Sequence, residues 1–362
     1  MKDEYLTNHL ITYLGNKRKL IPHIKEAVVE IQKKLNKQTI TAFDGFAGSG
    51  VVSRMLKYHS HSLFVNDMEP YSFVINQCYL SNPTPEKRIK INQYIDELNQ
   101  INCTTEGPIC KEYSPKETYN VQEGERAFYT HENALIIDSI RNQINQYPKD
   151  YFPFLIAPLL VKASIHTNTS GVFKGFHKKN KIGHFGGKDE VNTESRITKK
   201  IILEKPVYSN QDHDCKVHFF KSDINELIDD LPHVDIAYLD PPYNQHPYGS
   251  NYFMLNTIYK NEITGELSKV SGIPNNWTKS DFNYKKSALD SMKYLLENID
   301  AKYILLSYND EGIISKDELI ELITSLKYTY ELKQIKYNTY RGSRNLKDRN
   351  KKVYEYLWII QK

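Results

Sequence analysis

The chain has 362 residues, 40% hydrophobic and 12% aromatic, enough for a sizeable core and more than one structural unit. Its formal charge of +4 and pI near 8.5 are only mildly basic, so the placement of charge matters more than the total. No stretch approaches the roughly 18 apolar residues of a membrane helix, Met1–Tyr5 lacks the apolar segment of a secretion signal, and Cys78, Cys103, Cys110 and Cys215 have no C-x-x-C or paired-His spacing, so a cytoplasmic protein with no membrane anchor, metal site or disulfide is expected.

Along the chain, Leu20, Ile24, Ala27, Val28, Ile31 and Leu35 recur at helical spacing and predict a core-facing helix from about Lys19 to Leu35. Ile40–Phe43 reads as a short buried strand, followed by Asp44-Gly45-Phe46-Ala47-Gly48-Ser49-Gly50 and a helical stretch from Val51 to Tyr58. Glycines in such a turn let the backbone approach a ligand and adopt positive φ, which makes Asp44, Phe46, Gly48 and Gly50 candidate cofactor contacts. The order Gly-x-x-Gly-x-Gly is not that of dinucleotide binders and argues against a pyrophosphate cofactor, while a tight turn with no ligand is the plain alternative. A second apolar run, Ser62–Val65, ends in Asn66-Asp67. A carboxylate at that strand tip is placed to bond ribose hydroxyls, and Asp67 is the candidate.

From Asn82-Pro83-Thr84-Pro85 the pattern changes to polar helices, around Lys87–Ile101 and Glu132–Gln146, with Phe154–Val161 apolar enough for a packed helix bent at Pro158. Residues 83–212 therefore read as an insertion into a catalytic unit formed by residues 1–82 and 213–362. Between Val172 and Lys205 nine basic residues face four acidic ones, with glycines and Phe173, Phe176 and Phe185 interleaved. A Gly-rich, basic and aromatic stretch suits a loop or β-hairpin laid on a phosphate backbone, and Lys174, His177, Lys178, Lys179 and Lys181 are the candidate contacts. Asn168, Thr169 and Ser170 are further candidates for base or phosphate contact. A second basic run, Lys333–Lys352, includes Arg341 and Arg344 as candidates; a solvated face is the ordinary alternative for such a run.

From Lys216 the β/α alternation resumes, with strands near Val217–Phe220, Ile236–Leu239, Tyr303–Ser307 and Tyr354–Ile360 and a helix near Ser280–Glu297. Asp223, after the first of these strands, either caps the next helix or contacts a cofactor adenine. The second strand ends in Asp240-Pro241-Pro242-Tyr243. The N6 amine of adenine is a poor nucleophile because its lone pair is delocalised into the ring. A carboxylate at Asp240 and the Pro241 carbonyl can each accept an N6 hydrogen and localise that lone pair. The prolines stiffen the loop, and Tyr243 offers a flat face on which an extruded base can stack. Asp240, Pro241 and Tyr243 are thus the candidate catalytic residues for methyl transfer to an exocyclic amine.

Taken in order, Tyr13-Leu14-Gly15-Asn16-Lys17-Arg18-Lys19-Leu20, Asp44–Gly50, Asn66-Asp67 and Asp240–Tyr243 resemble the motifs of the D12 class of N6-adenine DNA methyltransferases. The resemblance implies a doubly wound, Rossmann-like α/β sheet with an inserted, mainly helical target-recognition domain and an antiparallel final strand. It implies S-adenosylmethionine as cofactor, with contacts at Tyr13, Lys17, Asp67 and Asp240 and with Asp223 near its adenine. Duplex DNA is the expected substrate and a cognate restriction endonuclease a possible partner. An amino-methyltransferase acting on RNA adenine or another planar amine is the rival reading.

Overall fold

The computed structural model describes residues 4–186, 190–209, 214–338 and 352–362. Nine strands are present among them: β1 (Ile40–Asp44), β2 (Ser60–Asn66), β3 (Lys178–Lys179), β4 (Ile182–Gly183), β5 (Lys216–Phe220), β6 (Val234–Leu239), β7 (Ala301–Asn309), β8 (Thr329–Asn338) and β9 (Lys352–Gln361). Seven of them form one mixed sheet in the order β5-β2-β1-β6-β7-β9-β8. The first five in that order are parallel, and β9 runs antiparallel between β7 and β8. Chain order reverses on either side of β1, so β1 and β6 flank a switch point where parallel sheets open a crevice at their carboxyl ends. This is the expected mixed α/β, Rossmann-like sheet, with the antiparallel strand that the family resemblance implied. No described helix is long and apolar enough to cross a membrane.

The predicted helix near the N-terminus spans Ile21–Leu35, with Pro22 in its first turn and Asn36 closing it in the left-handed region at φ 53°. Its apolar stripe, Ile24, Ala27, Val28 and Ile31, is buried against β1 and the helix Val51–Lys57. Several helices have no counterpart among the sequence expectations, Pro70–Leu80 and Lys316–Ser325 among them. Pro70–Leu80 is apolar on nearly every side, so no periodic stripe marks it. Lys316–Ser325 is opened by a capping box in which Ser315 and Glu318 bond each other's backbone. The single helix expected near Ser280–Glu297 is instead a 3₁₀ turn at Asp281–Asn283 and a helix at Ala288–Asn298. Ser280 caps Phe282 N–H, and the buried Phe282 ring meets Phe46 edge-on at 5.5 Å, which anchors the turn to the Gly-rich loop.

The described residues of 83–212 contribute no strand to the large sheet. Their helices, Pro85–Leu98, His131–Ile144 and Phe152–Ile165, pack with Pro70–Leu80 and Phe253–Lys260 around one continuous core. Pro158 lies inside the third of these helices, as its sequence suggests. Leu155 is fully buried in this shared core. We expect Leu155→Ala to cost about 2–5 kcal/mol, the usual range for a Leu cavity. Because the core joins both parts of the chain, chemical denaturation should show one destabilised transition; selective melting of residues 83–212 would contradict a shared core.

Candidate active site

All six residues of β6 are buried, so the strand is held rigidly up to the Asp240 that follows it. Asp240 Oδ1 lies 2.9 Å from Lys17 Nζ, and Glu355 Oε1 on β9 lies 2.9 Å from the same nitrogen. Lys17 Nζ also donates to the Gly15 carbonyl at 3.1 Å. Burial works against the ammonium, but the two carboxylates outweigh it and hold the Lys17 pKa well above its ordinary value. Burial pushes the Asp240 carboxyl up to about 6, with Lys17 lowering and Glu355 raising it. Asp240 is therefore ionised at neutral pH yet more basic than an exposed carboxylate.

The Gly-rich loop runs past this pair. Gly48 has φ +52°, and its N–H donates to Asp67 Oδ2 at 2.7 Å. Asp67 Oδ1 accepts from Glu69 N–H at 2.9 Å, so the tip of β2 is tied to the loop through one side chain. Gly50, at φ +74°, caps the helix Val51–Lys57. The Tyr13 ring packs against Gly48 and stacks on both Tyr248 and Tyr252, each 5.1 Å away, with those two rings 6.1 Å from each other. Asp44 is buried and accepts a 2.5 Å bond from Ser53 Oγ. Burial raises its pKa to about 7.

A cleft partly open to solvent lies at the sheet's carboxyl edge. Of the residues singled out from sequence, Tyr13, Phe46, Asp67, Asp223 and Asp240 line it. Asp223 takes one of the two roles expected of it, accepting from Asn225 N–H at 2.9 Å as a helix cap, and it also lines the cleft. Asp44, Gly48, Gly50 and Lys17 stand behind this lining and support it. Pro242, rather than Pro241, reaches the cleft wall. Tyr243 is just outside the lining, with Lys17 Nζ 5.4 Å from its ring centre and Tyr308 edge-on at 6.2 Å; its carbonyl accepts from Ile313 N–H at 2.9 Å.

Several lining residues carry no signal in the sequence. Glu69 is buried, accepts a 2.7 Å bond from Asn256 Nδ2, and is pushed by burial up to about 8. Thr278, Ser280 and Asn283 form the opposite wall, where Asn283 Nδ2 donates to the Asn244 carbonyl at 2.7 Å. These residues and Glu355 reach the site only through the fold.

The candidate DNA contacts divide. Lys178, Lys179 and Lys181 are exposed on the β3–β4 hairpin, whose turn places Asn180 and Lys181 at φ 50° and 71°. Lys178 sits over Phe176 at 4.7 Å. His177 is half-buried at the hairpin base, where its N–H donates to Asn168 and its carbonyl accepts from His184. Lys174 Nζ is 3.3 Å from His246 Nδ1, which links the insertion to the loop after Tyr243. Asn168 is fully buried, donating to the Ala127 and His184 carbonyls, so it frames the hairpin from beneath. In the second basic run, Lys333 is occupied by Glu26 at 3.3 Å and Glu30 at 3.7 Å. Arg341 and Arg344 lie outside the described residues.

The whole chain has recognisable relatives. It is 29% identical to the Type II methyltransferase M.NlaIII of Neisseria lactamica, covering 97% of this chain and 99% of that one. It is 31% identical to the Type II methyltransferase M.CviAII of Paramecium bursaria Chlorella virus 1, covering 87% and 88%. With the modification methylase StsI of Streptococcus sanguinis it shares 30% identity over 97% of this chain and 52% of that protein. Residues 13–322, which run from the stacked Tyr13 through the Gly-rich loop and Asp240 to the helix after β7, match one family profile. The chain belongs to the D12 class N6 adenine-specific DNA methyltransferase family.

Proposed function

We propose that this DNA adenine methyltransferase modifies one short site in duplex DNA, taking the methyl group from S-adenosylmethionine and working on an adenine flipped out of the helix. The observation that carries the reading is Asp240, a carboxylate of pKa about 6 at the end of a buried strand, on the wall of a cleft. As relatives are named Type II methyltransferases and modification methylases, a cytoplasmic role beside an endonuclease of the same specificity is the expected setting.

The donor set fits the cofactor. Each Asp67 oxygen accepts one backbone N–H and keeps lone pairs for ribose hydroxyls. Phe46 and Ile224 offer apolar faces to a purine, with Asp223 beside them at the lining, and Tyr13 and the Gly48 turn close the inner end. When bound, the cofactor supplies an electrophilic methyl group on a sulfonium. On the enzyme's side, Asp240 accepts an N6 hydrogen, and with the Pro241 carbonyl it draws the nitrogen towards a tetrahedral, nucleophilic geometry. Its raised pKa also makes it a competent acceptor for the proton that N6 must lose once it becomes cationic. Lys17 fixes the carboxylate, and Tyr243 and Pro242 border the space a flipped base would enter.

Incubating the protein with labelled S-adenosylmethionine and unmethylated genomic DNA, then mapping modified bases by single-molecule sequencing, tests the reading. N6-methyladenine at one short motif is expected. Label in RNA or protein and none in DNA would overturn it.

The hairpin lysines are proposed as phosphate contacts. Replacing Lys178, Lys179 and Lys181 together with Ala should flatten the log–log salt dependence of DNA binding by about 2–3, at about 0.9 per phosphate neutralised. An unchanged slope would show that these lysines are only a solvated face. Cofactor binding, measured in the same variant, should not move.

A further inference from the structure

Glu355 is only 5% exposed and lies on β9, far in sequence from every other residue of the site. It is well held: Asn309 Nδ2 donates to Oε2 at 3.0 Å and Ser307 Oγ to Oε1 at 3.4 Å, both from β7. Its remaining contact is the 2.9 Å ion pair with Lys17, the lysine that also pairs with Asp240. One buried ammonium is thus shared by two carboxylates, one in the cleft and one behind it. A lysine that served only to hold Asp240 would need no second anion, and burying one is costly unless it is paired and bonded as this one is.

We propose that Glu355 is a positioning residue for the methyl-transfer reaction, which fixes Lys17 between two anions and keeps that lysine from fully neutralising Asp240. The inference rests on the reading of Asp240 as the N6 acceptor. A carboxylate wholly claimed by one ammonium is a weaker acceptor for the amine hydrogen. Sharing the ammonium leaves Asp240 basic while Lys17 still holds it in place. The groups that face Asp240 are Lys17 from the N-terminal segment, Glu355 from β9, Asp44 from β1, Tyr238 on its own strand and Tyr248 from the loop beyond. The tyrosines are neutral over the working pH range, their pKa values being raised by burial. Glu355 is the anion that reaches Asp240 through a shared partner.

The sign of the effect follows. The negative charge of Glu355 raises the Asp240 pKa, so methylation, which needs ionised Asp240, should fall away below about pH 6 in the native enzyme. Glu355→Gln keeps the shape and removes the charge. The acid limb of its kcat profile should move to lower pH by on the order of one unit, as expected for losing a unit charge that shares one ammonium with Asp240 in a partly screened site. Its plateau kcat should fall about tenfold, with KM for DNA and for S-adenosylmethionine unchanged, because Glu355 touches neither.

Glu355→Asp, which keeps the charge but shortens the reach to Lys17, should lower kcat with a much smaller displacement of the limb. It carries the test if the Gln variant does not fold. A native acid limb near pH 6 that Glu355→Gln leaves in place, or an unaltered kcat in Glu355→Asp, would overturn the role given to Glu355 alone. A native enzyme with no acid limb near pH 6 would overturn the reading of Asp240 and this inference with it.

Discussion

Asp240→Ala should lower methyl transfer by at least about 10³-fold, the scale on which losing a preorganised electrostatic or proton-accepting group is felt, while duplex DNA binding stays within a few fold. The two halves of this expectation have separate physical grounds. The rate depends on a carboxylate at the end of β6, because the exocyclic amine needs its hydrogens accepted before its lone pair can attack. DNA affinity depends mostly on phosphate contacts, which are proposed for the hairpin lysines and not for Asp240. The fold should survive, since Lys17 keeps its ion pair with Glu355 and its bond to the Gly15 carbonyl. Removing Asp240 also relieves its repulsion with Asp44 and Glu355. Asp240→Asn should fall between the native enzyme and the Ala variant, as its amide oxygen can accept a hydrogen bond but carries no charge. Single-turnover rates with labelled cofactor, beside DNA titrations of the same preparations, provide the check. An Ala variant that methylates at even a tenth of the native rate would remove Asp240 from the mechanism.

How legible each part was depends on what kind of constraint wrote it. Asp67, Asp240 and the glycines of the turn stand out because strand ends and positive φ restrict residue type locally, and Gly48 and Gly50 do hold φ +52° and +74°. Lys17 was reached through the family resemblance, and nothing local marks it. Glu69, Thr278, Ser280 and Asn283, which line the cleft, and Glu355, which meets Lys17 behind it, were out of reach because each comes from an element placed by tertiary packing. Glu355 is a clear case: in sequence it is the one charged residue in the apolar run Val353–Ile360, which gives it no partner, and only the insertion of β9 between β7 and β8 sets it beside Lys17. β8 went unseen for a related reason. The apolar residues Tyr330, Leu332, Ile335 and Tyr337 break strict alternation after Leu332, and the lysines between them read as the start of a basic run. One of them, Lys333, instead pairs with Glu26 and Glu30 on the helix Ile21–Leu35.

The other large effect concerns the cofactor half. Gly48→Ala should weaken S-adenosylmethionine binding by at least about 30-fold, the equivalent of about 2 kcal/mol, and methylation should fall with it. Two costs fall on the same atom. An L side chain at φ +52° carries a left-handed penalty of about 1–2 kcal/mol. The added Cβ would also sit 2.7 Å from Tyr13 Cε1 and 2.9 Å from Cζ, inside contact distance. The Tyr13 ring is stacked on both Tyr248 and Tyr252, so a retreat from the new Cβ would disturb both contacts. Tyr252 is itself held by Leu14 N–H, which donates to its hydroxyl at 2.7 Å. The strain is therefore released by shifting the loop, which pulls Gly48 N–H away from Asp67 Oδ2 and frees the carboxylate proposed to hold the ribose. Stability should drop only modestly, because the loop is at the edge of the core, so circular dichroism should match the native protein while calorimetric cofactor titration shows the loss. Native-like affinity in this variant would mean that the Gly-rich turn shapes the sheet edge without bearing on the cofactor.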